Sequence, residues 1–306
     1  MIIWTAWRGD IAFKKPLQLK RGSVAVRSLL FIRSEQQGSI CWHEVAPLPG
    51  WSQETLMQAE AFLLANQQRC LTELAALPGI PASVSSALWL AQLPEGIGPV
   101  RSNQLLLSGE SIAGEPSDVV KVKVGVQPLL QEIERLKTLL VTLRPGQRIR
   151  LDANQSWSYT DLAQLTQALG DSAAIDYIEE PLLPGLGYSD WQRICPYGYA
   201  LDESLHSGLP QYHPGLKALV IKPTLLGKAK TLSCLSFTAQ HQTGLTVSSS
   251  FESPLGLSHL KRLARQWAPN GYHGLNTEAY LQTQLQTGPE QALRPVTQLL
   301  HWQPLW

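Results

Sequence analysis

Six charged side chains in this 306-residue sequence have types and spacing that could do chemistry. In Val120-Lys121-Val122-Lys123-Val124 apolar and cationic residues alternate, so a strand there puts the valines on one face and Lys121 and Lys123 on the other. Downstream, Leu151-Asp152, Ile178-Glu179, Leu201-Asp202 and Ile221-Lys222 each close an apolar run with one charge. From Lys123 onward these charges fall roughly 20 to 29 residues apart, about one strand-helix-strand unit each. Asp152, Glu179 and Asp202 gathered at one place repel one another unless a cation sits among them, and an all-oxygen set favours Mg²⁺ or Mn²⁺ over zinc. A lysine partly desolvated beside such a cation gives up its proton more readily, which makes Lys123 or Lys222 a candidate general base. Such parts suit removal of a proton next to a carboxylate. The metal would neutralise the enediolate, and lysines on the two sides would move protons or add positive charge.

Something must carry these charges to one point. From about residue 102 short strand-like runs alternate with helical patterns, which argues for parallel βα units. The runs lie at 103–108, 119–124, 148–152, 175–179, 199–202, 217–222 and 244–249, with a further one near 274–278. Eight strands point to a closed barrel, and barrel enzymes keep their reacting groups at the C-terminal strand ends. The clearest helix spans Pro128 to Leu143, where Leu129, Ile133, Leu136, Leu140 and Leu143 form one stripe. Thr160 to Leu169 forms another, closed by Gly170.

Residues 1–95 have a different pattern, an α+β cap. Val24–Ile32 and Ser39–Val45 read as strands joined by a turn at Gln36-Gln37-Gly38. Ser52 is the expected cap of one helix carrying Leu56, Met57, Phe62, Leu63, Leu71 and Leu74. A second helix is expected over Ala82–Leu93. The division is then a cap over 1–95, a barrel over 96–281 and a segment at 282–306, rich in Leu and Trp, that packs back on cap or barrel.

Composition narrows the function further. With 44% hydrophobic and 16% charged residues the chain buries a large core and does not resemble a disordered polymer. Its formal charge of +1 supplies no global field for nucleic acid or an anionic membrane, so the expected partner is a small molecule. Cys41, Cys70, Cys195 and Cys234 show no zinc-like spacing and no signal-like segment precedes them, which suits a reducing cytosol. The apolar stretches fall short of the roughly 20 residues that cross a bilayer. Oligomeric state is not legible.

Taken singly, several of these residues have plainer readings. Lys121 and Lys123 could protect a sheet edge, and Asp152 or Asp202 could cap a helix. Glu180 and Glu203 face away from the proposed ligands by strand parity and read as hydrogen-bond partners or structural pairs. Ser248, Ser249 and Ser250 could form a polar turn. His206 and His213 receive no role. The ten tryptophans read mainly as packing, with Trp51 and Trp157 in segments that could approach a substrate.

Val120 to Gly125, Leu151-Asp152-Ala153-Asn154 with Trp157, Ile178-Glu179-Glu180-Pro181, Leu201-Asp202-Glu203-Ser204, Val220-Ile221-Lys222-Pro223-Thr224 and Ser248 to Ser253 resemble, in order, the barrel motifs of the o-succinylbenzoate synthase family. This belongs to the enolase superfamily, in the muconate lactonising enzyme subgroup. Pro47 to Thr55 resembles that family's cap, where a substrate loop lies close by. The resemblance implies a modified (β/α)7β TIM barrel in the α/β class with an α+β capping domain. It implies Mg²⁺ held by Asp152, Glu179 and Asp202, Lys123 as base and then acid, and Lys222 stabilising the enediolate, with Lys121 as the first lysine of K-x-K. Substrate contacts fall on Ser248, Ser249, Ser250, Trp51 and Asn154. The implied reaction is syn-dehydration of a succinyl-hydroxycyclohexadiene carboxylate to 2-succinylbenzoate, on the way to menaquinone or phylloquinone. A dipeptide epimerase, an N-acylamino acid racemase or a lactonising enzyme would share this fold and these lysines. Against the epimerase, Gly274-Leu275-Asn276-Thr277-Glu278 lacks the D-x-D pair that such a resemblance demands. A barrel that binds without catalysis would have no need of all these charges.

Overall fold

The computed structural model describes residues 3–19, 22–36, 38–106, 117–282 and 303–306. Long runs of alternating apolar residues form the cap's antiparallel meander: β1 (Ile3–Leu19), β2 (Gly22–Gln36) and β3 (Ser39–Val45). The expected strand pair is β2 and β3, with Gln37 of its turn outside the described residues. Trp4, Leu30, Ile32 and Val45 turn one face of the sheet onto α1 (Leu56–Ala65), α2 (Leu71–Ala75) and α3 (Ala82–Leu90).

The single helix expected from Ser52 to Leu74 is instead two. Thr55 caps α1 in a reciprocal box with Gln58, while the Ser52 hydroxyl accepts the Leu48 N–H. The polar run from Asn66 breaks the chain, and Glu73 accepts the Cys70 N–H to start α2. Met57 therefore points to solvent, 75% exposed, while Leu63 and Leu74 are fully buried. Of the closing segment, 283–302 lies outside the described residues. Gln303–Pro304 pairs with β1, Leu305 joins the cap core and Trp306 meets Trp4 edge-on.

The barrel strands are β4 (Arg101–Ser102), β5 (Gln104–Leu106), β6 (Val119–Lys123), β7 (Arg148–Asp152), β8 (Ile175–Glu179), β9 (Tyr199–Leu201), β10 (Leu216–Ile221), β11 (Gly244–Val247) and β12 (Tyr272–His273). β5 to β11 form a parallel sheet in sequence order. β12 pairs with β4, and a bridge from Ser248 to Gly274 joins it to the end of β11, so the sheet curls closed. The last strand thus sits two residues earlier than its expected place at 274–278, and Asn276 to Glu278 lead into a 3-10 turn. The first run, expected over 103–108, is interrupted at Asn103, whose N–H bonds to His273; its residues 107–108 lie outside the described set.

Helices α4 (Leu129–Thr142), α5 (Tyr159–Leu169), α6 (Trp191–Ile194), α7 (Pro223–His241) and α8 (Pro254–Trp267) cover the sheet. Val120, Val122 and Val124 pack outward with Ile133 and Leu136 of α4, each such burial contributing about 1.5–3 kcal/mol. That leaves Lys121 and Lys123 inside. Among the described residues no helix is long and apolar enough to cross a membrane.

Candidate active site

Parallel pairing sets the level of the site. Lys123, Asp152 and Glu179 are successive Cα partners across β6, β7 and β8, so they share one row at the C-terminal strand ends. Two residues below, Lys121, Arg150 and Tyr177 form a second inward row. There the Arg150 guanidinium lies 4.7 Å from the Tyr177 ring centre and donates to the Tyr272 carbonyl. Asp202 and Lys222 follow β9 and β10 directly.

Lys121 Nζ reaches up between two carboxylates, 2.9 Å from Asp152 Oδ2 and 2.8 Å from Glu179 Oε1. Lys123 Nζ lies 3.6 Å from the same Asp152 oxygen, and Lys222 Nζ donates to Asp202 Oδ2. Asp202 immediately precedes a 3-10 turn, Glu203–His206, but its side chain caps nothing. The capping reading therefore fails for it.

Burial would lift the Asp152 carboxyl, but Lys121 and then Lys123 outweigh burial and hold it at about 2. Burial wins at Glu179, raised to about 7 against the pull of Lys121, and at Asp202, raised to about 6 against Lys222. Burial would lower Lys121 and Lys222, yet Asp152 and Asp202 respectively lead the carboxylates that raise both.

The residues fit a hard divalent cation. Ammonium groups sit between the acids, and among the described residues no three His, Cys, Asp or Glu side chains converge as a ready-made cluster. Even so, Asp152, Glu179 and Asp202 all act on the one Lys121 ammonium. Asp152 Oδ1 is buried without a hydrogen-bond partner, and an all-oxygen donor set matches Mg²⁺.

The residues beside the ligand positions hold the turns. Glu180 Oε1 accepts the N–H groups of Asp202 and Ser204, both at 2.7 Å, and Oε2 accepts the Ser204 hydroxyl and Gln155 Nε2. Asn154 donates to Glu203 Oε1 at 2.7 Å, while Glu203 Oε2 is buried and unpartnered. Asn154, Gln155 and Glu180 all have positive φ, backbone strain of order 1–3 kcal/mol each that clusters where β7 and β8 end. Gly125 has φ +74°, and a Cβ there would lie 1.8 Å from Ser156 Oγ, so only glycine lets the turn after β6 pass the turn after β7.

Trp51 enters from the cap, its ring centre 5.9 Å from Lys222 Nζ. Ser249 Oγ bonds to Thr277 Oγ1 at 2.7 Å, Ser248 joins the bridge to Gly274, and Ser250 Oγ is buried without a partner. Trp157 is 3% exposed within the barrel core, which makes it packing. The sequence reading missed Arg27, Glu44, Thr224 and Glu252, a buried polar group joining cap to barrel. The one available signal was an arginine inside the largely apolar stretch Val24–Ile32.

Two family models match the sequence: the enolase C-terminal domain-like family over residues 110–221 and the MenC N-terminal domain over residues 3–93. The chain is 34% identical to o-succinylbenzoate synthase of Enterobacter sp. (strain 638), covering 91% of this chain and 92% of the relative. It is 32% identical to that of Yersinia enterocolitica, covering 96% of each. Among solved structures, o-succinylbenzoate synthase from Thermosynechococcus elongatus BP-1, complexed with Mg in the active site, aligns with TM-score 0.70 at 26% identity over 89% of this chain and 92% of the other. A dipeptide epimerase from Cytophaga hutchinsonii aligns at TM-score 0.72 with 18% identity, over 92% of this chain and 89% of the other. Backbone likeness therefore establishes the fold without choosing between the two activities, and the sequence identity separates them.

Proposed function

The chain belongs to the o-succinylbenzoate synthase family of the enolase superfamily, and from that premise we propose that it is a Mg²⁺-dependent hydro-lyase. Its substrate is 2-succinyl-6-hydroxy-2,4-cyclohexadiene-1-carboxylate and its product 2-succinylbenzoate, on the way to menaquinone or phylloquinone. The observation that carries this reading is the shared row of Lys123, Asp152 and Glu179 beside the Lys222–Asp202 pair.

Asp152, Glu179 and Asp202 would hold the metal, Mg²⁺ or in its place Mn²⁺. When bound, the cation neutralises charge developing on the substrate carboxylate. Lys123 takes the proton from the ring carbon bearing that carboxylate. The electron pair released forms the new C=C bond as the C–O bond breaks, and the same lysine returns the proton to the departing hydroxyl, so that water leaves from one face. Lys222 stays protonated and stabilises the developing negative charge. Lys121 keeps Asp152 and Glu179 aligned from below. Trp51, Asn154 and Ser248 to Ser250 line the substrate's remaining contacts.

At the position where a D-x-D pair would grip a dipeptide's ammonium, the chain has Asn276-Thr277-Glu278, and Thr277 is bonded to Ser249. That weighs against the epimerase. The division into cap 1–95, barrel 96–281 and closing segment 282–306 belongs to the same proposal, as does a cytosolic setting, which suits four unpaired thiols. The test compares kcat/KM for the cyclohexadiene acid with a panel of dipeptides and N-succinylamino acids. A clear preference for the acid is expected, and preference for the panel would overturn the assignment.

A further inference from the structure

Arg27 lies in β2, far in sequence from every strand end of the barrel, yet it is only 1% exposed. Sequestering a guanidinium costs several kcal/mol unless its donors are satisfied. Here they go to backbone carbonyls on two separate segments. In the cap, Nη1 donates to Pro47 at 2.7 Å and Nη2 to Ala46; in the barrel, Nε donates to Phe251 at 3.3 Å and Nη2 to Ser250 at 3.4 Å. One planar fork thus spans the gap between the stretch leading into Trp51 and the turn that follows β11.

The surrounding charges match the polarity of that turn. Its carbonyls face Arg27, while its N–H groups face two buried acids: Ser250 N–H donates to Glu252 at 2.6 Å, and Ser253 and Gly256 N–H donate to Glu44 of β3 at 2.8 and 2.9 Å. Glu252 is fixed in turn by the Thr224 hydroxyl at 2.6 Å. Phe251, at φ +59°, holds a left-handed conformation that an aromatic residue adopts only when its surroundings impose it.

On the cap side, Leu48 follows Pro47 directly, and its carbonyl accepts the N–H groups of Trp51 and Ser52 at 3.1 and 2.9 Å. A displaced Pro47 carbonyl would therefore carry Trp51 with it. Trp51 Nε1 and Ser250 Oγ are both buried with no hydrogen-bond partner, one on each segment that Arg27 joins. Native proteins seldom leave such groups unpaired, and a polar ligand lying between the segments would satisfy both.

We propose that Arg27 is a positioning residue, which fixes the separation of the Trp51 loop and the Ser248–Ser250 turn and so sets the fit of the part of the substrate remote from the reacting carbon. This rests on the activity proposed above. Lys123, Asp152, Glu179 and Lys222 are held by barrel strands and not by Arg27, so the chemical step itself does not depend on it.

The test measures KM and kcat separately for wild type, Arg27→Met and Arg27→Lys with the cyclohexadiene acid. Loss of folded protein scales kcat but leaves KM unchanged, so KM reports on the site. Arg27→Met should raise KM at least tenfold with kcat per folded enzyme within about threefold, and Arg27→Lys, which keeps the charge but not the fork, should fall between. KM within twofold of wild type in the variants would overturn the proposal, and Arg27→Lys carries the same readout where Arg27→Met does not fold. Hydrogen exchange of the ligand-free proteins is the second arm. Residues 46–52 and 250–256 should exchange faster together in the variants while 148–152 stay protected, and a change in one segment alone, or in neither, overturns the coupling. Wild-type protein that fails to turn over the acid would overturn the assigned activity, and exchange would then decide the role of Arg27 by itself.

Discussion

Lys123 Nζ stands 3.6 Å from the Asp152 oxygen that Lys121 approaches to 2.9 Å, and its side chain is 26% exposed against 13% for Lys121. Of the two lysines on one strand face, the upper is therefore more loosely tied and more open to a substrate, and the lower is locked between acids. Removing Lys123 should cost chemistry and little structure. Lys123→Ala is expected to lower kcat by about 10²–10⁴, the range of a positioned acid–base group, with an unchanged circular dichroism spectrum. Near-wild-type kcat would assign the base elsewhere.

Asp152 makes the second case. Its Oδ2 is shared by two lysines while Oδ1 is buried and unpartnered, which leaves it free for the proposed cation. Chelation of divalent ions should abolish turnover, and Mg²⁺ should restore it. Asp152→Asn leaves the shape but removes the charge, so Mg²⁺ affinity by titration calorimetry should fall at least tenfold. Wild-type affinity in this variant would remove Asp152 from the ligand set.

Glu180 is expected to matter as much for folding as for turnover. It is fully buried and accepts from four donors, the Asp202 and Ser204 N–H groups, the Ser204 hydroxyl and Gln155. A glutamine there must turn its amide donors toward donors in either orientation. Glu180→Gln should cost about 1–3 kcal/mol in urea denaturation and lower kcat, because the backbone that aims Asp202 loses its anchor. Unchanged stability would mean that Glu180 does not template the turn.

How legible these roles are follows from the physics of each residue. The strand alternation of Lys121 and Lys123 and the repeat that follows are local patterns, and parallel register then leaves little freedom in where Asp152 and Glu179 must stand. Glu180 does serve as a hydrogen-bond partner, as strand parity suggests. Glu203 instead lies past the end of β9 in a 3-10 turn, where parity no longer applies, and comes close enough to Lys222, Asp152 and Glu179 to feel their charges. Where one helix becomes two is not legible, because Asn66 to Cys70 differ from a polar helix face only through capping bonds made in three dimensions. Nor is the early start and early end of β12, whose pairing depends on β4 across the closed barrel. Arg27 is the extreme case. It meets Ser250 and Phe251 across 223 and 224 residues of sequence, and no local pattern encodes such a contact.

Buried histidines predict how stability depends on pH. Burial lowers His43 to about 4, His259 to about 3 and His273 to about 4, while burial raises Glu44 to about 7 and acts in the opposite sense. His273 isolates the effect, because its Nδ1 accepts the Val247 N–H at 3.1 Å while Nε2 faces the Ala268 carbonyl at 3.0 Å. Protonation would set donor against donor. Between the unfolded value of 6.5 and about 4 the unfolded chain binds more protons at this site. Its contribution is therefore complete above pH 6.5 and is lost as pH falls toward 4. His273→Asn keeps an acceptor for Val247 and does not titrate. The stability difference between wild type and this variant, from urea midpoints, should move by about 2 kcal/mol against the wild type between pH 7 and pH 4.5. A difference independent of pH over that window would mean that His273 is already neutral in both states or charged in both, contrary to its buried hydrogen bonding.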